Sequence, residues 1–260
     1  MTTTYNNPVK QQLKDGQKTC GAFLQLTSNI AAEILGQAGF DWLIIDMEHA
    51  PGDFSNLLGQ LQAIGKNNAV PFVRAPWNDA VAIKKILDTG VQGVLIPYVN
   101  TAAEAADAVS ACKYPPLGVR GVAGSPRAAG YGTNVQNYIA NANHETVVLV
   151  AIETPEAVAN LDEILATPNL DGIFIGPMDL ATSMGYLGNP GHPEVQQAIA
   201  TIEQKTLASD KFLGTIAPTW EKAQACYDKG YQWLILMQDS TGLAALANAT
   251  AVKFKQAYRN

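Results

Sequence analysis

Eight short apolar runs alternate with amphipathic segments along almost the whole chain: "GAFLQL" (21–26), "DWLIIDME" (41–48), "VPFVRA" (70–75), "GVLIPYV" (93–99), "VVLVAIE" (147–153), "GIFIGP" (172–177), "FLGTIA" (212–217) and "WLILM" (233–237). They are continuous rather than strictly alternating, as parallel strands covered on both faces require. Between them lie helical patterns such as "SNIAAEILGQAG", "NDAVAIKKILDTG", "TAAEAADAVSACK" and "TWEKAQACYDKG". Several open on Ser, Asn or Thr and stop at Gly, which is sound capping chemistry. Eight βα units crowd a single flavodoxin-like sheet and suit a closed (β/α)8 TIM barrel, although the pattern alone does not establish closure. The expected fold is therefore an α/β barrel. Two further helices, around Pro8 to Leu13 and over "GLAALANATAVKFKQAYR", fall outside the eightfold count.

One segment breaks the rhythm. "YPPLGVRGVAGSPRAAGYGTNVQNYIANANHE" (114–145) is rich in Gly, Pro and small residues, and reads as a long functional or disordered loop. No linker or composition shift divides the chain, so residues 1–260 are expected to form one barrel domain.

Composition narrows the class. The 260 residues are 47% hydrophobic and 15% charged, with a net charge of −6. That balance argues against nucleic acid and anionic membranes as partners. Cys20, Cys112 and Cys226 match no metal or redox spacing and read as small apolar residues in a reducing compartment. The polar start lacks the apolar stretch of a signal peptide, and no run approaches the roughly twenty residues that span a bilayer. A cytoplasmic protein is expected.

In a barrel of this type the chemistry stands at the C-terminal ends of the strands. Strand two offers Asp46, Glu48 and His49, and strand three ends on Arg74. Strand five ends on Glu153, and strand six leads through "GPMD" to Asp179. Strands one, four, seven and eight end on milder groups: Gln25 and Thr27, Tyr98, Thr215, and Gln238 with Asp239. Glu153 and Asp179 are one βα repeat apart, so they are expected on neighbouring strands. Two carboxylates that close repel unless a proton or cation lies between them, and a hard divalent ion completed by water and substrate oxygens answers this economically. The competing reading makes Asp179 a helix cap and pairs Glu153 with Arg74. Arg74 cannot shed its charge, which suits anion binding, although a plain ion pair to Glu48 or Glu153 would also satisfy it. His49, beside two acids, is a candidate base, with a core or capping role as the alternative. His144 and His192 read as structural. No lysine stands at the C-terminal end of a strand, and no nucleophile elbow, P-loop or dinucleotide motif is present. A divalent metal, an arginine and a histidine base together suit the making of an enolate.

The stretches "GFDWLIIDMEHAP", "VPFVRAPWND", "YPPLGVRGV", "VLVAIETPEAV" and "GIFIGPMDLATSMGYLGNPGHPEV" together resemble the HpcH/HpaI aldolase family, most closely its metal-dependent pyruvate aldolases acting on 4-hydroxy-2-oxo acids. The resemblance runs from about residue 20 to about residue 250. It implies a barrel assembled as a homo-hexamer, a trimer of dimers with the C-terminal helix exchanged between subunits. It implies that Glu153 and Asp179 ligate Mg²⁺, or Mn²⁺ or Co²⁺, and that Arg74 stabilises the enolate oxygen. His49 matches the histidine that takes the C4-hydroxyl proton, and Asp46 its orienting partner. Backbone N–H groups over Gly176, Pro177, Met178 and Asp179 match the site of the substrate carboxylate. The implied partners are a small 2-oxo acid and an aldehyde.

Two positions depart from the bacterial pattern. Ala151 stands where relatives carry glutamine, and Phe23 where they carry tryptophan, both near the substrate in that family. The exchanges keep the catalytic set, open space and remove a polar contact. An oxaloacetate decarboxylase or a macrophomate-synthase-like enzyme would use the same enolate chemistry. An acyl-CoA lyase is disfavoured, because only Arg120 and Arg127 on the long segment offer cations for its phosphates. An inactive metal-binding paralogue fits poorly with retention of His49, Arg74, Glu153 and Asp179.

Overall fold

The computed structural model describes residues 5–65 and 67–259. Eight parallel strands close into a barrel in sequence order. They are β1 (Thr19–Leu24), β2 (Trp42–Asp46), β3 (Val70–Arg74), β4 (Gly93–Ile96), β5 (Val147–Ile152), β6 (Gly172–Ile175), β7 (Phe212–Ile216) and β8 (Trp233–Gln238). The continuous apolar runs thus form strands buried on both faces, one towards the lumen and one towards the helices. The register sets Asp46 opposite Arg74 across β2 and β3, and Ile152 opposite Ile175 across β5 and β6. Glu153 and Gly176 follow immediately at adjacent strand ends.

The lumen is filled, not open. Trp42 and Trp233 stack at a centroid distance of 3.7 Å, with the Phe72 and Phe174 rings about them. Room for these rings comes from glycines on neighbouring strands. Gly21 is in register with Trp42, Gly93 with Phe72 and Gly214 with Trp233, and a Cβ on any of them would meet the partner residue at less than 3 Å. The N-terminal helix, Pro8–Lys14, closes the opposite end of the barrel from the strand C-termini, burying Val9 and Leu13 in the luminal cluster. Its Lys10 ammonium lies 2.8 Å from Asp171, and Asn7 caps its first turn. Each large side chain fully buried in this way contributes roughly 1.5–3 kcal/mol relative to its exposed state.

The helices fall where the capping signals place them. Ser28, Asp79, Thr101 and Thr219 each accept a backbone N–H in the first turn of the helix that follows. The long segment departs from expectation. It holds a short 3-10 turn, Arg127–Gly132, and an α-helix, Val135–Glu145, whose Tyr138 and Ala142 pack with Tyr114 and Ala129. The four-residue spacing of Tyr138 and Ala142 is the helical signal that the surrounding glycines and asparagines obscure.

The C-terminal helix, Asp239–Tyr258, follows β8 without a break. Asp239 is its buried residue, while Leu243, Leu246, Phe254 and Tyr258 are exposed. The three cysteines are unpaired thiols. Among the described residues, no helix is long and apolar enough to cross a membrane.

Candidate active site

Asp46 is the last residue of β2 and only 1% exposed. Its partner is set by the strand register. Arg74 Nε donates to Asp46 Oδ1 at 3.0 Å and Nη2 to Oδ2 at 2.6 Å, a two-point clamp. Oδ1 also accepts the backbone N–H groups of Glu48 and His49, and Oδ2 accepts Gln25 Nε2 at 2.9 Å. Burial pushes the Asp46 carboxyl up, but Arg74, aided by Gln25 and the Glu48 N–H, outweighs this and holds it below the usual range. The contact differs from the expected one: Asp46 reaches His49 through its backbone N–H, and its charge is committed to Arg74.

Arg74 also meets Glu48 Oε2 at 3.2 Å, and its guanidinium lies over the Phe23 ring, 4.6 Å from the centroid. Burial alone would weaken its charge; Asp46, Glu48 and Glu153 reverse that and raise its pKa. Glu153 has no direct ion pair with it. The Glu153 carboxylate accepts the Tyr98 N–H at Oε1, 2.8 Å away, and its Oε2 rests against Gly176. Tyr98 is held at φ +52°, a left-handed conformation that costs an L-residue roughly 1 kcal/mol or more. The bond to Glu153 fixes that turn, and the Tyr98 ring stacks on Trp77 at 5.7 Å.

Glu153 is 4% exposed, and its pKa is pushed up to about 7, first by burial and then by the charges of Glu48 and Asp179. Burial, with Asp46 and Asp179, likewise raises Glu48 against the pull of Arg74. Asp46, Glu48, Glu153 and Asp179 therefore share one neighbourhood with one fully committed cation, Arg74. Asp179 stands in the first turn of the helix Pro177–Ser183, four residues beyond the strand end. Pro177 opens that helix and has no N–H. The N–H groups of Met178 and Asp179 belong to the first turn, which lacks intrahelical acceptors. Met178 is exposed and Asp179 half-buried.

His49 lies in the turn after β2 with a side chain 56% exposed, its Nε2 3.8 Å from Glu48 Oε1. Phe23 and Ala151 are both buried at the upper rim of the lumen, Ala151 in register with Phe174. Arg120 and Arg127 are spent elsewhere. Arg120 pairs with Asp88 at 2.8 Å beside Tyr138, and Arg127 donates to the Thr89 carbonyl at 2.6 Å. Arg120 is buried and Arg127 is tied to a backbone carbonyl, so neither is presented to a phosphate. His192 caps a helix and stacks on Tyr186, and His144 lies in the last turn of Val135–Glu145, both structural placements.

The donor set suits a hard divalent cation. Glu153 and Asp179 offer anionic oxygens, and Oε2 of Glu153 faces a glycine where any Cβ would intrude at 2.4 Å. Among the described residues, no group of three or more His, Cys, Asp or Glu side chains forms an ion site by itself. Two carboxylates supply part of a coordination shell, which leaves positions for water and substrate oxygens.

Comparison with known proteins agrees with this geometry. Residues 19–244 match the HpcH/HpaI aldolase/citrate lyase family. The chain is 44% identical over 248 residues to a 4-hydroxy-2-oxo-heptane-1,7-dioate aldolase of Escherichia coli (strain ATCC 8739), covering 95% of each chain. It is 45% identical over 249 residues to the protein of that name from Klebsiella pneumoniae, covering 96% of this chain and 94% of that one. Its fold matches the crystal structure of an HpcH/HpaI aldolase/citrate lyase family protein from Burkholderia cenocepacia at a TM-score of 0.92 and 35% identity, covering 96% of this chain and 100% of that one. Over almost its whole length, this chain therefore belongs to the HpcH/HpaI aldolase/citrate lyase family.

Proposed function

We propose that the protein is a divalent-metal-dependent aldolase that reversibly splits a 4-hydroxy-2-oxo acid into pyruvate and an aldehyde. The observation that carries this reading is a buried, raised carboxylate, Glu153, close to Asp179 and to a rigidly held arginine. Glu153 and Asp179 would hold Mg²⁺, or Mn²⁺ or Co²⁺. The bound ion would supply positive charge at the carboxylate and 2-oxo end of the substrate.

The remaining steps fall to the chain. Arg74 meets the negative charge that grows on the 2-oxo oxygen as the C3–C4 bond breaks. His49, whose Nε2 lies 3.8 Å from Glu48 Oε1, takes the C4-hydroxyl proton. The electron pair of the broken bond leaves with C3 as the pyruvate enolate, which takes a proton from solvent. The N–H groups of Met178 and Asp179 hold the substrate carboxylate. Phe23 and Ala151 border the reacting carbons and bear on which aldehyde is accepted.

The test is pyruvate release from a panel of 4-hydroxy-2-oxo acids and from oxaloacetate, after EDTA treatment and again with Mg²⁺ or Mn²⁺ restored. Metal-dependent pyruvate from a hydroxy-oxo acid supports the aldolase. Release from oxaloacetate alone favours a decarboxylase. Turnover indifferent to metal removes Glu153 and Asp179 from the role assigned to them.

Two further outcomes are expected of the ion. Glu153 must lose its proton to bind metal, so with a pKa near 7 the apparent Mg²⁺ affinity weakens as pH falls below 7. The limit is about tenfold per pH unit, with release of about one proton per ion. Calorimetry in buffers of different ionisation enthalpy reads that proton directly. Gly176→Ala places a Cβ 2.4 Å from Glu153 Oε2 and forces the carboxylate aside. Mg²⁺ affinity is expected to fall about tenfold or more while the melting temperature changes little.

Assembly belongs to the same proposal. The exposed apolar side chains of the C-terminal helix, Leu243, Leu246, Phe254 and Tyr258, favour burial against another subunit, as in a hexamer that exchanges this helix. Light scattering should then give about six times the 27.7 kDa chain mass. Three unpaired thiols are consistent with work in the cytoplasm.

A further inference from the structure

Gln25, just past the end of β1, joins the clamp on Arg74 to the first turn of the C-terminal helix. Its Nε2 donates to Asp46 Oδ2 at 2.9 Å, the same oxygen that takes Arg74 Nη2. Its Oε1 accepts the Ser240 hydroxyl at 3.0 Å. Asp46 decides which end of the amide faces it: a carboxylate only accepts, so the NH₂ must point to it, which leaves Oε1 to accept the Ser240 hydroxyl. Asp239 fixes the backbone beneath. Its Oδ1 accepts the N–H of Gln25 at 2.8 Å and of Ser240 at 2.7 Å, and its Oδ2 accepts the N–H of Leu26 at 3.1 Å.

The chemical type of residue 25 matters. Asp46 accepts five hydrogen bonds, two of them from Arg74, and an amide adds a neutral donor without competing for the arginine's charge. A lysine there would divide the carboxylate between two cations, and a glutamate would repel it. Beyond its first turn the C-terminal helix is mostly exposed, with Asp239 its buried residue. Its attachment to the barrel therefore coincides with the contact that steadies Asp46.

We propose that Gln25 is a positioning residue for Arg74, acting through Asp46, and that Ser240 and Asp239 at the start of the C-terminal helix hold it in place. The proposal rests on the reading of Arg74 as the group that meets the 2-oxo oxygen. It adds that the posture of this arginine is coupled to the anchoring of the helix.

The test uses the full-length protein with Gln25→Leu, which keeps the bulk and loses both side-chain bonds, and Ser240→Ala, which removes only the hydroxyl that holds the Gln25 oxygen. For pyruvate release, kcat is expected to fall about tenfold in Gln25→Leu and about threefold in Ser240→Ala, with KM and the Mg²⁺ dissociation constant unchanged within about twofold. In an Arg74→Lys background, Gln25→Leu should have no further effect. Equal losses in both backgrounds overturn the proposal. A second readout does not need turnover. The chain has four arginines, so the Nε–H signal of Arg74 can be resolved in ¹⁵N-labelled protein and assigned with Arg74→Lys. It should shift, and exchange with water at least about tenfold faster, in Gln25→Leu. An unchanged Arg74 signal in either variant overturns the proposal whatever the kinetics show. If the signal responds while the unaltered protein releases pyruvate from no 2-oxo acid, the relay stands and the aldolase reading falls.

Discussion

Glu153→Gln removes metal-dependent pyruvate release by more than about 10³-fold and leaves the barrel folded; that is the largest effect expected of any single change. The amide is nearly isosteric and still offers an oxygen to the Tyr98 N–H, so the local turn survives. What disappears is the charge, and with it half of the anionic donor set. The stability of the metal-free protein should move the other way. The Glu153 carboxyl is raised to about 7 in the fold, from an ordinary value of 4.5. Below pH 4.5 it is protonated in both folded and unfolded chains and costs nothing differential. As pH rises from there through 7, the folded state gives up a proton it prefers to keep, and stability falls. Metal-free Glu153→Gln is therefore expected to melt higher than the unaltered protein at pH 8 and close to it at pH 5. Thermal melts at both pH values in EDTA check this. A variant that melts lower at pH 8 would show that the carboxylate is not an uncompensated charge.

The second large effect separates the two halves of the reaction. His49→Ala is expected to lower aldol cleavage by about 10²–10⁴-fold, the usual contribution of a positioned base. Exchange of the C3 protons of pyruvate with deuterated water should fall by less than about tenfold, because the charge of Arg74 and the carboxylate pair are untouched. His49 is exposed and touches the clamp only through its backbone N–H, so the substitution leaves the Asp46–Arg74 geometry in place. Cleavage followed by pyruvate release, and exchange followed by proton NMR, give the two numbers on one preparation. Equal losses would move His49 from the C4 hydroxyl to the enolate itself.

Much of this was legible in the chain. The eight strands read directly because a parallel barrel buries both faces, and Ser28, Asp79, Thr101 and Thr219 announce their helices through chemistry that needs no tertiary partner. Residues from four strand ends were named from position alone. What stayed hidden depends on register. Asp46 and Arg74 are 28 residues apart, and only the pairing of β2 with β3 makes them a clamp. Local sequence puts Asp46 next to His49, which is why it reads as that residue's partner. Gln25 is marked only by its place at a strand end, since an amide is functional only through what meets its two ends. Asp179 reads as a strand end, yet Pro177 is a helix-opening residue and places it in a first turn. The helix Val135–Glu145 is masked by asparagines, which weaken propensity without preventing packing through Tyr138 and Ala142.

The glycine–ring pairs that fill the lumen also shape how this sequence can diverge. At Gly21–Trp42 and Gly93–Phe72, a larger side chain on one strand demands a smaller one on the next, so a lone change is penalised and only a matched pair is neutral, while at Gly214 the Trp233 carbonyl bars a Cβ whatever ring stands opposite. Drift through that layer requires two steps, the first of them harmful. One layer higher, Ala151 repeats the pairing of a small residue with a ring, Phe174, whereas Phe23 faces Ile44 and has no such reciprocal partner there. Variation by single steps is thereby easier at Phe23 on the rim than in the packed layer beneath.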